Sequence, residues 1–171
     1  MKRYAENSGK IVIRTLRRRK MLKGIPKILS PELLKVLNEM GHSDVIVIGD
    51  GNFPAETMGK NAIVLRADGH GVPELLDAIL TVMPLDSYVE HPVNLMELMP
   101  QDVGVIQTPI WDEYAKIVAK HDERGEKAIG HLERFQFYDE VKKNAYCVVA
   151  SGESAVYANV MLQKGVVKDA E

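Results

Sequence analysis

Apolar positions along this chain switch between helical spacing and short continuous runs, and the alternation predicts a sheet with helices packed on it. Ser30-Pro31 opens a helix: Ser30 suits the N-cap, and Pro31 suits the first helical position, where its missing N–H would be unpaired anyway. Leu33, Leu34, Leu37 and Met40 recur at helical spacing and give one buried face. Gly41 can adopt positive φ and end that helix. Val45–Ile48 follows, β-branched throughout, as expected of a strand covered on both faces. Asn61–Ala67 repeats the theme. Val72-Pro73-Glu74 starts a second helix, with Leu75, Leu76, Ile79, Leu80 and Met83 on its inner side and Pro84 near its stop. Leu85–Tyr88, Val93–Leu98 and Val103–Gln107 read as short strands. Thr108-Pro109 opens a third helix along Ile110, Tyr114, Ile117 and Val118, and Lys120–Lys127 reads as its end and a loop. Ile129–Leu132 reads as a strand, Phe135–Lys143 as a short helix, and Tyr146–Ala150 and Val160–Leu162 as strands. The expected fold is a single α/β domain with a mostly parallel central sheet and helices packed on it.

Composition adds bounds. The 171 residues suffice for one domain with a real core, and 46% apolar with 27% charged residues is ordinary for a soluble globular protein. No apolar run approaches the roughly 20 residues of a membrane span, so no membrane partner is expected. Cys147 is the one cysteine, which excludes an internal disulfide and paired-cysteine zinc spacing. A buried, inert thiol and a reducing, cytoplasmic compartment are expected. Charge is uneven: residues 1–20 carry eight Lys and Arg against Glu6 alone, a net +7, so −9 falls on the rest of a chain that is −2 overall. The acidic remainder argues against a nucleic-acid surface. The basic arm lacks the apolar core of a secretory signal and is expected to be a poorly ordered extension, with a nucleic-acid contact, an organelle address or an upstream extension of the reading frame as its other readings, and the domain proper at 21–171.

Candidate chemistry centres on His42 and Asp50. The first follows a helix end and the second follows a strand, at the rim where parallel sheets collect ligands. Each also has a plainer explanation: His42 as a surface histidine near a helix end, Asp50 as a turn carboxylate accepting backbone N–H bonds. A helix's carbonyl end favours a cation, so His42 there could keep a proton until a substrate oxygen takes it. His70 reads as a loop residue and His121 as solvated. No phosphate loop, nucleophile elbow or metal-ligand histidine spacing is present, and Gly49-Asp50-Gly51 is only a fragment of a dinucleotide fingerprint. Arg134-Phe135-Gln136-Phe137-Tyr138 sets a guanidinium beside aromatic rings, suited to hydroxyls and the apolar face of a sugar, or to a core beside a surface charge. Ser151-Gly152-Glu153 and Tyr157-Ala158-Asn159 offer another polar rim, or a polar connection with Tyr157 half buried.

Taken together these pieces resemble the fucose mutarotase and ribose pyranase family. The matching residues are Ser30–Leu37, Glu39-Met40-Gly41-His42, Asp50 with Phe53-Pro54-Ala55 and Met58-Gly59, and Arg66-Ala67-Asp68-Gly69. Leu85-Asp86-Ser87-Tyr88, Arg134–Tyr138, Ser151-Gly152-Glu153, Tyr157-Ala158-Asn159 and Lys164-Gly165-Val166 follow in order. The resemblance implies a ring-forming α/β subunit, commonly a decamer of two stacked pentamers with sites near subunit boundaries. It implies an enzyme acting on free monosaccharides without cofactor. By resemblance His42 is the proton donor, and Asp50, Arg134, Tyr157, Ala158 and Asn159 bind the sugar. Phe53-Pro54-Ala55, Arg66–Gly69 and Arg134 resemble the fucose branch, so L-fucose mutarotation is expected, with D-ribose pyranase or a non-catalytic, transport-associated sugar binder as alternatives. Asn52 and Glu56 stand where that branch often carries histidine, which bears on the preferred sugar. Residues 101–131 follow the pattern least. In the expected mechanism His42 protonates the ring oxygen, Asp50 binds a hydroxyl and orients His42, Arg134 and Asn159 hold other hydroxyls, and Tyr157 is a wall or second proton relay.

Overall fold

The computed structural model describes residues 22–167. The basic arm lies outside them. Helix α1 (Pro31–Glu39) is capped by Ser30, whose hydroxyl accepts from the Leu33 N–H at 3.1 Å. Strand β1 (Val45–Gly49) follows, then a short helix α2 (Ala55–Met58), β2 (Ile63–Ala67) and α3 (Val72–Val82). The chain continues through β3 (Val93–Met96), α4 (Pro109–His121), a single 3₁₀ turn, β4 (Ile129–Leu132), α5 (Arg134–Asn144), β5 (Ala145–Ser151) and β6 (Val160–Gln163). The strands form one sheet in the order β2-β5-β1-β6-β3-β4.

β6 alone is reversed, pairing antiparallel with both β1 and β3. A parallel return needs a crossover of about a dozen residues or more. Only the short loop 152–159 joins β5 to β6, so β6 turns back instead.

The sheet is covered on both sides. Ile46 and Ile48 of β1 join Cys147 and Val149 of β5 and Val160 and Leu162 of β6 against α1, α3 and α4. The alternate residues Val47, Val148 and Met161 pack on the other side with Phe53, Phe137 and Val141. Two-sided burial is why β1 is apolar at every position. Cys147 is fully buried, and burial pushes its thiol up to about 12, as an inert thiol requires. Among the described residues no helix is long and apolar enough to cross a membrane.

Three local expectations are corrected. Positive φ after α1 falls on Ser43 (φ 70°), not on Gly41. Leu85–Tyr88 makes one bridge, Leu85 to Lys164, and then turns, because the Asp86 carboxylate takes the Tyr88 N–H at 2.9 Å. Residues 103–107 form turns, not a strand: the Asp102 carbonyl accepts from the N–H groups of Val105 and Ile106, and Gly104 takes φ 79°.

Candidate active site

The carboxyl ends of β1, β3 and β4 and the start of β6 enclose one polar cleft. Asp50 follows β1 and is 4% exposed. Its carboxylate accepts from the Asn52 N–H at 2.9 Å and the Ala158 N–H at 3.4 Å, and its own N–H donates to Asn159 Oδ1 at 2.9 Å. Burial pushes this carboxyl above the ordinary range, and the backbone bonds offset the push only in part.

Arg134 opens α5, whose N-cap Glu133 accepts from the Phe135 and Gln136 N–H groups. Its Nε donates to the Tyr138 hydroxyl at 3.3 Å, and its guanidinium carbon sits 5.6 Å from the Tyr138 ring centre. Tyr157 takes φ 57°, an uncommon conformation for an aromatic residue. Helix α4 holds it there. The Trp111 indole N–H donates to the Tyr157 carbonyl and the Tyr114 hydroxyl to the Ala158 carbonyl, each at 2.8 Å. The Tyr157 hydroxyl donates to Asp102 and accepts from the Met99 N–H at 3.3 Å.

Asp50, Arg134, Tyr157 and Asn159 share this cavity of about 440 Å³, with Asp102 and Tyr138 on its wall. That volume lies in the usual range for small-molecule clefts, about 300–1,000 Å³. Asn52 also lines it, whereas Glu56 faces a smaller cleft of about 220 Å³ on the other side of Asp50. Ala158 is fully buried and acts through its backbone, donating to Asp50. Asp102 is a wall residue with no expectation attached from sequence, whereas Tyr138 belongs to the Arg134–Tyr138 segment read above as suited to a sugar. A larger open groove of about 580 Å³ lies between α3 and α4, lined by Asp77, Glu113 and Lys116 among others, and contains none of the expected site residues.

His42 is not in this cavity. It precedes β1, and Asp50 follows it. The five residues of β1 alone span roughly 13 Å at about 3.3 Å per residue. At the amino end His42 Nε2 meets Asp86 Oδ2 at 3.0 Å, and its ring stands edge-on to Tyr88 with centres 5.5 Å apart. Asp86 is 1% exposed and His42 keeps 44% of its side chain in solvent. Burial works to raise the Asp86 carboxyl, but the Tyr88 N–H, His42 and Gln163 outweigh it and hold it below the ordinary value. Asp86, not Asp50, therefore orients His42 within one chain. The cation at the carbonyl end of α1 is also a different residue: Lys164 donates to the carbonyls of Leu37, at 2.7 Å, and Met40. His70 pairs with Glu74 near the start of α3. His121 is not solvated; it is 15% exposed at its side chain and bonds Asp77 at 2.7 Å between α3 and α4.

Donors and acceptors converge here with aromatic faces at the sheet's carboxyl edge, which is the usual place and lining of a small-molecule site. The chain belongs to the RbsD / FucU transport protein family, whose profile matches residues 23–167. It is 49% identical to a human fucose mutarotase over 147 residues, 85% of this chain and 94% of that protein. The crystal structure of FucU from Bifidobacterium longum is 67% identical, with a TM-score of 0.83 over 85% of this chain and 100% of that one. A fucose mutarotase from Streptococcus pneumoniae, solved in complex with L-fucose, is 45% identical with a TM-score of 0.79, covering 86% of this chain and 100% of that one.

Proposed function

We propose that this protein is an L-fucose mutarotase that interconverts the α and β anomers without a cofactor. The observation that carries the reading is the joint occurrence of Asp50, Arg134, Tyr157 and Asn159 in one cavity of a chain 45% identical to a fucose mutarotase solved with L-fucose. Anomers exchange when the ring opens. A proton leaves the anomeric hydroxyl, the bond from C1 to the ring oxygen breaks, and the ring oxygen gains a proton. The aldehyde rotates and closes on its other face. The reaction already proceeds in water, so general acid–base help of about 10²–10⁴-fold suffices.

The cleft supplies binding. Asp50 and Asn159 engage hydroxyls, Arg134 offers fixed donors, and the Tyr138 and Tyr157 rings face the apolar side of the sugar. His42 supplies the acid. With Nε2–H directed at Asp86, Nδ1 is the nitrogen that carries the transferable proton. Since β1 separates donor and cleft in one chain, the complete site forms between copies. His42 of one subunit enters the cavity of the next in a ring, in the decamer of two stacked pentamers that the family resemblance implies. Two features support this. The His42–Tyr88 pair projects outward, Tyr88 being 71% exposed, and the cleft is flanked by exposed apolar residues such as Val156.

Saturation-transfer NMR between the anomeric protons tests the proposal. Wild type should accelerate exchange of L-fucose above buffer, and His42→Ala should abolish the acceleration with an unchanged far-UV spectrum. Acceleration with D-ribose and none with L-fucose would move the protein to the pyranase reaction. Sugar-dependent thermal shifts without faster exchange would leave a binding protein.

A further inference from the structure

Resting on that mutarotase reading, the geometry points to Asp102 as a positioning residue that completes a proton relay through Tyr157 at the anomeric hydroxyl. The Tyr157 hydroxyl has one proton and two lone pairs. Its proton is directed at Asp102 Oδ2, and one lone pair accepts the Met99 N–H. One lone pair therefore remains, on an oxygen that belongs to a residue lining the cavity. While Asp102 is ionised, a phenol wired in this way accepts from a ligand hydroxyl and does not donate to it.

That polarity fits one step of the reaction. As the anomeric O–H proton moves to Tyr157 Oη, the phenol's own proton moves to Asp102, and the tyrosine is neutral before and after. Electrons of the former O–H bond form the new carbonyl at C1. The C1–ring oxygen bond breaks, and the ring oxygen takes its proton from His42. Ring closure on the other face runs the same transfers backwards. A lone tyrosine could not act as the base near neutral pH, because ionising it is costly: burial raises its pKa further, and Asp102 adds to the rise. A carboxylate behind the phenol removes the need for a free phenolate.

Two anchors make the arrangement specific. The left-handed turn at Tyr157 is clamped by the Trp111 indole, which fixes where the phenol stands. Asp102 is fixed in turn, because its N–H donates to the Met99 carbonyl at 2.8 Å and its carbonyl caps the turn through Val105 and Ile106. The competing reading is that the Asp102–Tyr157 bond only latches the 99–106 loop.

Asp102→Asn separates the two. The amide oxygen still accepts the phenol O–H, so the latch survives, but the amide takes up no proton. Exchange of L-fucose measured from pH 4 to 9 should fall about 10²-fold in kcat, the low end of general-base help, with KM within about twofold. The loss should persist on the plateau of the pH profile, where the Asp50 carboxylate lining the same cavity no longer changes charge. Asp102→Glu should recover part of the rate, and Tyr157→Phe should reproduce the loss in kcat. An Asp102→Asn protein with the wild-type rate and profile overturns the relay, as does a Tyr157→Phe protein with full kcat. If Asp102→Asn does not fold, the pair Asp102→Gln and Asp102→Glu decides: both are the same length and accept the phenol O–H, only Glu takes up a proton, and equal rates in the two overturn the relay. Wild-type protein that accelerates no anomer exchange removes the mutarotase reading itself, a result distinct from failure of the relay.

Discussion

The two buried carboxylates respond to burial with opposite outcomes. Asp50 is raised, so the native state binds its proton more tightly than the unfolded chain does. Its ionisation then costs stability, and that cost grows as pH rises from the unfolded value through the native one. Asp86 is lowered, so it contributes stability that is present above the unfolded value and is lost as pH falls through the native one. Asp50→Asn should therefore raise the urea midpoint at pH 7, with the gain vanishing below the ordinary carboxylate range, while calorimetric affinity for L-fucose falls. Asp86→Asn should shift the midpoint the other way at pH 7. A midpoint lowered by Asp50→Asn would show that the bonds from Asn52 and Ala158 need the charge. A site carboxylate that weakens the fold is the expected trade between stability and binding.

Among the elements, the connection after β5 bears most on the cleft. A Cβ on Gly152 would stand 1.9 Å from the Asp68 carbonyl oxygen, a backbone atom that cannot rotate away. The Gly152 N–H also donates to the His70 carbonyl at 2.8 Å. Gly152→Ala should cost about 1–3 kcal/mol in urea unfolding, the usual range for overpacking, and an unchanged midpoint would refute this contact. Elements with simple physical signals were legible in the sequence. α1 shows its Ser30 cap and apolar stripe, and β1 shows burial on both faces. The 103–107 segment was not, because Val103, Val105 and Ile106 mimic a strand while Asp102 and Gly104 turn the backbone. Asp50, Arg134, Tyr157 and Asn159 could be grouped through the family resemblance. Their partner Asp102 could not, since it sits 55 residues from Tyr157 in a loop with no local motif. His42 and Asp50 do not meet within one chain for a geometric reason: residues flanking a strand lie at its opposite ends.

For the whole molecule, the proposal that the site is shared between copies is tested most directly by complementation. His42→Ala removes the acid from one pole, and Arg134→Ala spoils the cavity at the other. Each variant alone should be inactive. Unfolded and refolded together, they should form mixed rings in which some contacts pair an intact donor with an intact cavity, and random pairing makes that about one contact in four, so exchange should return to roughly a quarter of wild type under the shared-site assembly. Mixed protein as inactive as its parents, with subunit exchange verified by mass spectrometry, would place donor and cleft within one chain.

The position of β6 has a consequence for how the chain folds. It comes last among the described strands, yet it lies in the middle of the sheet, between β1 and β3. Until residues 160–163 are available, β2-β5-β1 and β3-β4 are two half-sheets with exposed facing edges. Open edges of that kind invite pairing with other chains. Any folding intermediate that lacks β6 therefore exposes what becomes the middle of the sheet, and docking of residues 160–163 closes it.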